Sequence, residues 1–178
     1  MSPADAYLFG IAGGISAVKG IRAAGVACGL KRTGQPDLAL VVSDAPATVA
    51  ATFTTNRVRA APVQVSRRNL RGGKFSAIVL NSGNANACTG RQGLADAEEV
   101  TREVARALTL PPGQVFVAST GVIGRPLDMD AVRKGIAQAV ARLDASRGNE
   151  AAQAILTTDT TPKEAAITFP VGGQRVTI

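Results

Sequence analysis

Val115-Phe116-Val117-Ala118-Ser119-Thr120-Gly121-Val122-Ile123-Gly124 is the stretch whose reading decides the fold. Its first four residues are apolar or small and partly β-branched, so residues 115–118 read as a short buried strand. Ser119-Thr120-Gly121 then reads as a turn that exposes hydroxyls and a backbone N–H. Beyond Pro126, Met129, Val132, Ile136, Val140 and Leu143 recur at helical spacing, with Asp128 placed to cap that helix. A buried strand, a small-residue turn and an amphipathic helix make the α/β unit in which chemistry commonly sits at the strand end. Glycine in such a turn lets the backbone approach a ligand, and its N–H can face a negative oxygen. An ordinary strand-to-helix connection has the same pattern, and this stretch alone leaves both readings open.

Outward from this unit, the chain alternates strands and helices. Residues 25–30 read as a strand after a Gly- and Ala-rich loop covering the first twenty residues. Thr33-Gly34-Gln35-Pro36 is turn chemistry. Residues 38–43 form a continuous apolar run, broken by Asp44-Ala45-Pro46, and residues 48–54 read as a second strand pairing with the first. Pro62 opens a shorter strand over residues 63–66, and residues 76–80 form another. Leu94, Ala97, Val100, Val104, Ala107 and Leu108 make one apolar helical stripe, stopped by Pro111-Pro112-Gly113. A shorter helix is expected over residues 149–156. Residues 166–171 and 174–178 flank Gly172-Gly173, a hairpin signal.

Composition narrows the function. The chain has 178 residues, enough for one domain with a real core, which at 46% hydrophobic but 3% aromatic residues must be built from Ala, Val, Leu and Ile. No apolar run approaches the roughly 20 residues of a membrane span, and the N-terminus lacks the pattern of a secretion signal. Cys28 and Cys88 are too few for a disulfide framework, which points to a reducing cytoplasm; with no histidine they also make a zinc site improbable, so no metal is expected. The missing histidine excludes Ser-His and Cys-His catalytic pairs within this chain. A nucleophile would need another base, such as a lysine or a terminal amine. The net charge of +7 is scattered, apart from Arg67-Arg68 and Arg71, and with one Tyr and no Trp there is little to stack on bases. Nucleic acid is therefore not an expected partner; a solvated face is the plain reading of this charge, and a pocket for small carboxylates is the other. Phosphate-loop and dinucleotide fingerprints are absent.

Two polar segments stand out. Asn81-Ser82-Gly83-Asn84-Ala85-Asn86-Ala87-Cys88-Thr89-Gly90 reads either as an irregular loop whose amides cap nearby backbone or as a site for a small polar ligand. Thr157-Thr158-Asp159-Thr160-Thr161-Pro162 reads as a capping turn or a polar site wall.

Five ordered blocks together resemble one family. They are Lys19-Gly20-Ile21-Arg22-Ala23-Ala24-Gly25-Val26, Phe53-Thr54-Thr55-Asn56-Arg57-Val58-Arg59-Ala60-Ala61-Pro62-Val63, the segment from Asn81 to Gly90, Ser119-Thr120-Gly121-Val122-Ile123-Gly124, and Thr157-Thr158-Asp159-Thr160. The family is ornithine acetyltransferase, the bifunctional glutamate N-acetyltransferase of arginine biosynthesis. The resemblance implies a layered α/β sandwich of β-sheets flanked by helices, like that of the self-processing N-terminal-Thr aminopeptidases. It implies a precursor that cuts itself before a Thr, which becomes the nucleophile of a β chain and carries acetyl from N-acetylornithine to glutamate. Residues 1–178 would then be a single-domain α chain, paired with β as α2β2 in the cytoplasm. By the same resemblance Thr120 and Gly121 stabilise the oxyanion and Thr157 contacts substrate. No bound cofactor is implied, and acetyl-CoA is a possible co-substrate. The family's Lys-Gly-Ser-Gly segment and its Ala-Thr cleavage point are not in this sequence and are expected after Ile178. A self-processing aminopeptidase and a non-catalytic small-molecule binding domain are the alternative readings.

Overall fold

The computed structural model describes residues 9–178; the first eight residues of the expected N-terminal loop lie outside the described residues. Eleven main elements follow in order among the described residues: β1 (Phe9–Ile11), β2 (Ile21–Val26), β3 (Leu38–Thr48), α1 (Ala61–Asn69), β4 (Lys74–Asn84), α2 (Gly90–Leu108), β5 (Val115–Val122), α3 (Met129–Ala141), α4 (Gly148–Ala154), β6 (Ala166–Val171) and β7 (Gln174–Thr177). The main sheet has the order β2-β3-β4-β5; its first two pairings are antiparallel and β4–β5 is parallel. A parallel pair needs a crossover, which α2 provides. A small sheet, β1-β6-β7, forms separately.

Strand alternation sorts the core into two faces. Leu38, Leu40, Val42, Ala77, Val79, Val115 and Val117 meet the apolar stripes of α1, α2 and α3. Ala23, Ala39 and Val41 face the other way and meet Ala151 and Ala154 of α4, with Ile78 and Leu80 half-buried beside them. Because both faces are covered, Leu38 through Val42 are all buried, and the sequence there is one continuous apolar run. Helix α4 sits tight against β2: a Cβ on Gly25 would stand 2.0 Å from the Glu150 carbonyl oxygen.

The layered α/β class, the strand over residues 76–80, the two long helices, the Asp128 cap and the final hairpin all appear. Asp128 accepts the Ala131 N–H at 3.0 Å. Gly172 and Gly173 both take positive φ, as a two-residue hairpin turn requires.

Several expectations are corrected. Residues 25–30 do not form a strand: β2 runs earlier, and the chain peels away after Val26 because the fully buried Asp37 carboxylate takes the N–H groups of Cys28, Gly29 and Lys31 at 2.7, 3.0 and 2.9 Å. Residues 48–54 are not a second strand. One strand, β3, continues through Asp44-Ala45-Pro46 with a register shift between Val42 and Ala47. Pro46 is tolerated there because the strand is bulged and β2 no longer pairs beyond Ser43. Residues 63–66 are helical, not extended, since Pro62 stands at the start of α1, where its missing N–H costs nothing. The N-terminal region is not all loop, as Phe9–Ile11 pairs with β6. Ser119-Thr120-Gly121 is not a turn either: β5 extends through Val122, and the chain bends only afterwards.

Candidate active site

The site begins where β4 and β5 outrun the rest of the sheet. β3 starts at Leu38, opposite Asn81, and β2 ends at Val26 on the same side. Past Asn81, only β4 and β5 continue, with Ser82 opposite Thr120 and Gly83 opposite Gly121. Two glycines face each other there, and the contact requires them. Gly121 has φ +132°, and a Cβ on it would stand 2.4 Å from the Gly83 carbonyl carbon and 2.6 Å from the Asn84 nitrogen. Gly83 has φ +97° and is pressed in turn against the Leu30 carbonyl, with 3.0 Å left for a Cβ.

Helix α1 controls which backbone groups of β5 stay open. Ser66 Oγ donates to the Val117 carbonyl at 2.7 Å and accepts the Val117 N–H at 2.9 Å, and Asn69 Nδ2 donates to the Val115 carbonyl at 2.7 Å. These side chains replace a neighbouring strand on the free edge of β5. In a parallel ladder alternate residues turn inward and outward, and Val117 is an outward one. The same alternation turns the Gly121 N–H outward, beyond the N-terminal end of α1. Thr120 to Pro126 are all exposed, and Val122 and Ile123 are large apolar residues left 49% and 63% open.

The asparagine-rich segment is the scaffold of this strand end. Asn81 is buried; it accepts from Ser119 Oγ at 2.6 Å and donates to the Asn84 carbonyl at 2.8 Å. Asn84 donates to the Pro126 and Arg125 carbonyls at 3.0 and 3.3 Å and accepts the Asn86 N–H at 2.7 Å. Asn86, fully buried, donates to the Gly93 carbonyl at 2.8 Å and accepts from Thr89 Oγ1 at 2.7 Å. Two backbone bonds, Ala85 N–H to the Val122 carbonyl at 2.9 Å and Gly124 N–H to the Ala87 carbonyl at 2.8 Å, tie the bend after β5 to it. Of the two readings of this segment, capping amides describe what these three asparagines do, but Asn81 to Asn84 continue β4 rather than forming an irregular loop.

Thr157 lies near the same end by another route. Alternation puts Thr120 on the α4 face of the sheet with Ser82, whose hydroxyl donates to the Ala154 carbonyl at 2.5 Å, three residues before Thr157. Thr157 is exposed and lines a cleft of about 440 Å³ with Lys31, Gln35, Gln153 and Asp159. Lys31 donates to the Pro36 carbonyl at 2.7 Å, and partial burial lowers its pKa. Asp159 pairs with Lys163 at 2.5 Å. Gly83 packs on Leu30 and Lys31, so Gly121, Gly83, Lys31 and Thr157 form one connected series of neighbours.

Sequence reading missed Lys31, Gln153, Gly83 and Asp37. Gly83 stood inside a quoted block; the others carry no local signal, because their roles arise only when the loop between β2 and β3 folds back. Asp37 also acts on Cys28: burial, and then the adjacent carboxylate, push that thiol up to about 12. Among the described residues no cluster of three or more Cys, Asp or Glu side chains could hold a metal ion, and no helix is long and apolar enough to cross a membrane.

Known proteins share this sequence pattern and fold. The ArgJ family model matches residues 22–178. Arginine biosynthesis bifunctional protein ArgJ of Synechococcus is 53% identical over 169 residues, covering 94% of this chain and 41% of that protein. Its counterpart in Symbiobacterium thermophilum is 49% identical, covering 94% of this chain and 42% of its own length. The chain thus spans about two fifths of the length of these relatives. The crystal structure of ArgJ from Bacillus halodurans superposes with a TM-score of 0.90 at 37% identity, over 97% of this chain and 91% of that one. Ornithine acetyltransferase from Mycobacterium tuberculosis, solved in complex with ornithine, gives 0.87 at 43% identity over 90% of this chain and 88% of that one. With the family's model running through the strand-end glycines and the Thr157 cleft alike, the chain belongs to the ArgJ family.

Proposed function

We propose that the protein containing this chain is an acetyltransferase of arginine biosynthesis that moves acetyl from N-acetylornithine to glutamate. The transfer runs through an acetyl ester on a threonine that lies outside these 178 residues, in a partner β chain, with the pair assembled as α2β2 in the cytoplasm. The attacking hydroxyl forms a C–O bond to the acetyl carbon and the C–N bond to ornithine breaks. The hydroxyl proton passes through the threonine's own amine to the leaving amine. Glutamate then attacks the ester by the same steps in reverse, so neither a histidine nor a bound cofactor is needed.

This chain's part is to receive the charge. At each attack the acetyl oxygen becomes negative, and the Thr120 hydroxyl and Gly121 N–H are the donors for it. The observation that carries this is the exposed Thr120 beside a Gly121 whose backbone is pinned on Gly83 and Asn84, a rigid pair at an open strand end. Preorganised donors pay no reorganisation at the moment of reaction. The Thr157 cleft, with the Lys31 ammonium and Asp159 carboxylate on its walls, suits an amino acid bearing both charges. The aminopeptidase alternative is not favoured, because the solved relatives at 37% and 43% identity are ArgJ and ornithine acetyltransferase.

Initial rates with N-acetylornithine and glutamate varied together test the covalent route. Parallel double-reciprocal lines are expected; intersecting lines would overturn the acetyl-threonine intermediate.

A further inference from the structure

The side chains at the open end of β5 differ in what they have left to bind. Ser119 gives its hydroxyl to Asn81 at 2.6 Å, and Ser82, opposite Thr120, gives its own to the Ala154 carbonyl at 2.5 Å. The Thr120 hydroxyl has no hydrogen-bond partner among the described residues. Two residues on, Val122 is 49% exposed, although β5 opens with three buried residues.

Val122 shares the face of Thr120. The parallel register continues through both, Ser82 with Thr120 and Asn84 with Val122. The Ala85 N–H donates to the Val122 carbonyl at 2.9 Å, so the Val122 backbone still turns toward β4. Val117 belongs to the opposite set, since its carbonyl and N–H are taken by Ser66 on the other edge. Residues two apart along a strand carry their side chains on one face, about 6.6 Å from each other. The open pair is therefore one hydroxyl donor and one apolar branch with a gap of one small group between them.

An acetyl group has that polarity and that length. With its oxygen about 2.8 Å from the Thr120 hydroxyl, the methyl on the same carbonyl carbon lies over the gap, within the roughly 4.0–4.5 Å of apolar contact from Val122. One more methylene runs into the valine branch. The wall is fixed in place: the Ala85 bond holds Val122, and the Gly124 N–H donates to the Ala87 carbonyl at 2.8 Å just beyond it.

We propose that Val122 is the specificity-determining residue that limits the transferred acyl group to two carbons, its side chain touching the acyl methyl while Thr120 and Gly121 receive the oxygen. This rests on the acetyl-transfer reading above.

The test uses the full-length protein with N-acetylornithine and N-propionylornithine as donors and glutamate as acceptor. In Val122→Ala the propionyl-to-acetyl ratio of kcat/KM should rise at least roughly tenfold, the scale of one methylene in an apolar pocket. Val122→Thr, which keeps the branch and nearly the size, should hold the parental ratio within about twofold. Mass spectrometry of the acylated protein after exposure to an equal mixture of both donors reads the same selectivity where turnover is slow. A purely structural valine would slow both donors together and leave the ratio alone. An unchanged ratio in Val122→Ala would therefore overturn the proposal, and so would an unchanged ratio with loss of a copurifying chain, which would make Val122 a contact of that chain. A folded parent that moves neither acyl group from ornithine to glutamate would instead count against the acetyl-transfer reading, and the acyl wall would fall with it.

Discussion

Residues 81–90 and residues 119–124 lie side by side at the end of the same parallel strand pair, and both are rich in small polar residues and glycine. In the first, Asn81, Ser82, Asn84 and Asn86 are buried and every one of these side chains is hydrogen-bonded. In the second, Thr120, Gly121, Val122, Ile123 and Gly124 are exposed. A side chain whose donors and acceptors are already taken holds a shape; one that faces outward from a fixed backbone is available to a ligand. Polar density in the sequence does not separate the two, whereas burial and partner count do. The asparagines spend their hydrogen bonds on the carbonyls of residues 84, 93, 125 and 126, and that leaves the neighbouring strand end rigid and open.

The contrast can be broken most forcefully at the point of contact. Gly121→Ala puts a Cβ 2.4 Å from the Gly83 carbonyl carbon at φ +132°, so overpacking and backbone strain add. The cost should exceed about 2 kcal/mol, read as a lower urea midpoint of unfolding, and any folded fraction should be slow. An alanine variant with parental stability and rate would show that the two strands have room to part. Asn86→Ala comes next. It leaves the buried Gly93 carbonyl and the part-buried Thr89 hydroxyl without their partner, a loss of about 1–3 kcal/mol. Because the role is structural, kcat measured well below the melting temperature should stay within about twofold; a large fall in kcat at unchanged stability would move Asn86 into the chemistry.

The cysteines offer a smaller, chemical version of the same comparison. Cys88 is exposed at the outer end of the asparagine segment, while Cys28 is half-buried against Asp37, its thiol pushed up to about 12. Iodoacetamide at pH 8 should modify Cys88 and largely spare Cys28, as peptide mass mapping would show; equal labelling would contradict the Cys28 environment. The sign of the pH effect follows. Above the ordinary thiol value of 9.0, the unfolded chain has lost the proton that the folded chain keeps, so folding stability falls as pH rises from there toward about 12. A Cys28→Ala variant should lose that part of the alkaline decline, seen by comparing unfolding midpoints at pH 8 and pH 10.

What was legible in the sequence is what neighbours along the chain decide. The continuous run at residues 38–42, the stripes of α2 and α3, the Asp128 cap and the Gly172-Gly173 turn each carry their cause within a few residues. The misread pieces depend on distant partners. Residues 63–66 alternate apolar and polar over too short a span to distinguish strand from helix, and Val65 and Ser66 take their places only against β5. β3 passes through Pro46 because of a bulge against β4, which the residues themselves do not announce. The candidate site divides the same way. Thr120, Gly121 and Thr157 entered through a family resemblance, while the reason for glycine at position 121 sits on Gly83, one strand away.

Whether Thr120 donates to the developing oxyanion is the central question for this strand end. The direct measurement is steady-state kinetics of Thr120→Ala in the full-length protein, on material whose chain composition matches the parent's, since the proposed self-cleavage would pass through a similar oxyanion. A donor that acts mainly in the transition state lowers kcat more than it alters KM. The predicted result is a folded protein with near-parental KM and a kcat lower by about 10²–10³, equivalent to about 2.7–4 kcal/mol. A kcat within about twofold of the parent would contradict the account and return Ser119-Thr120-Gly121 to the role of a plain strand end.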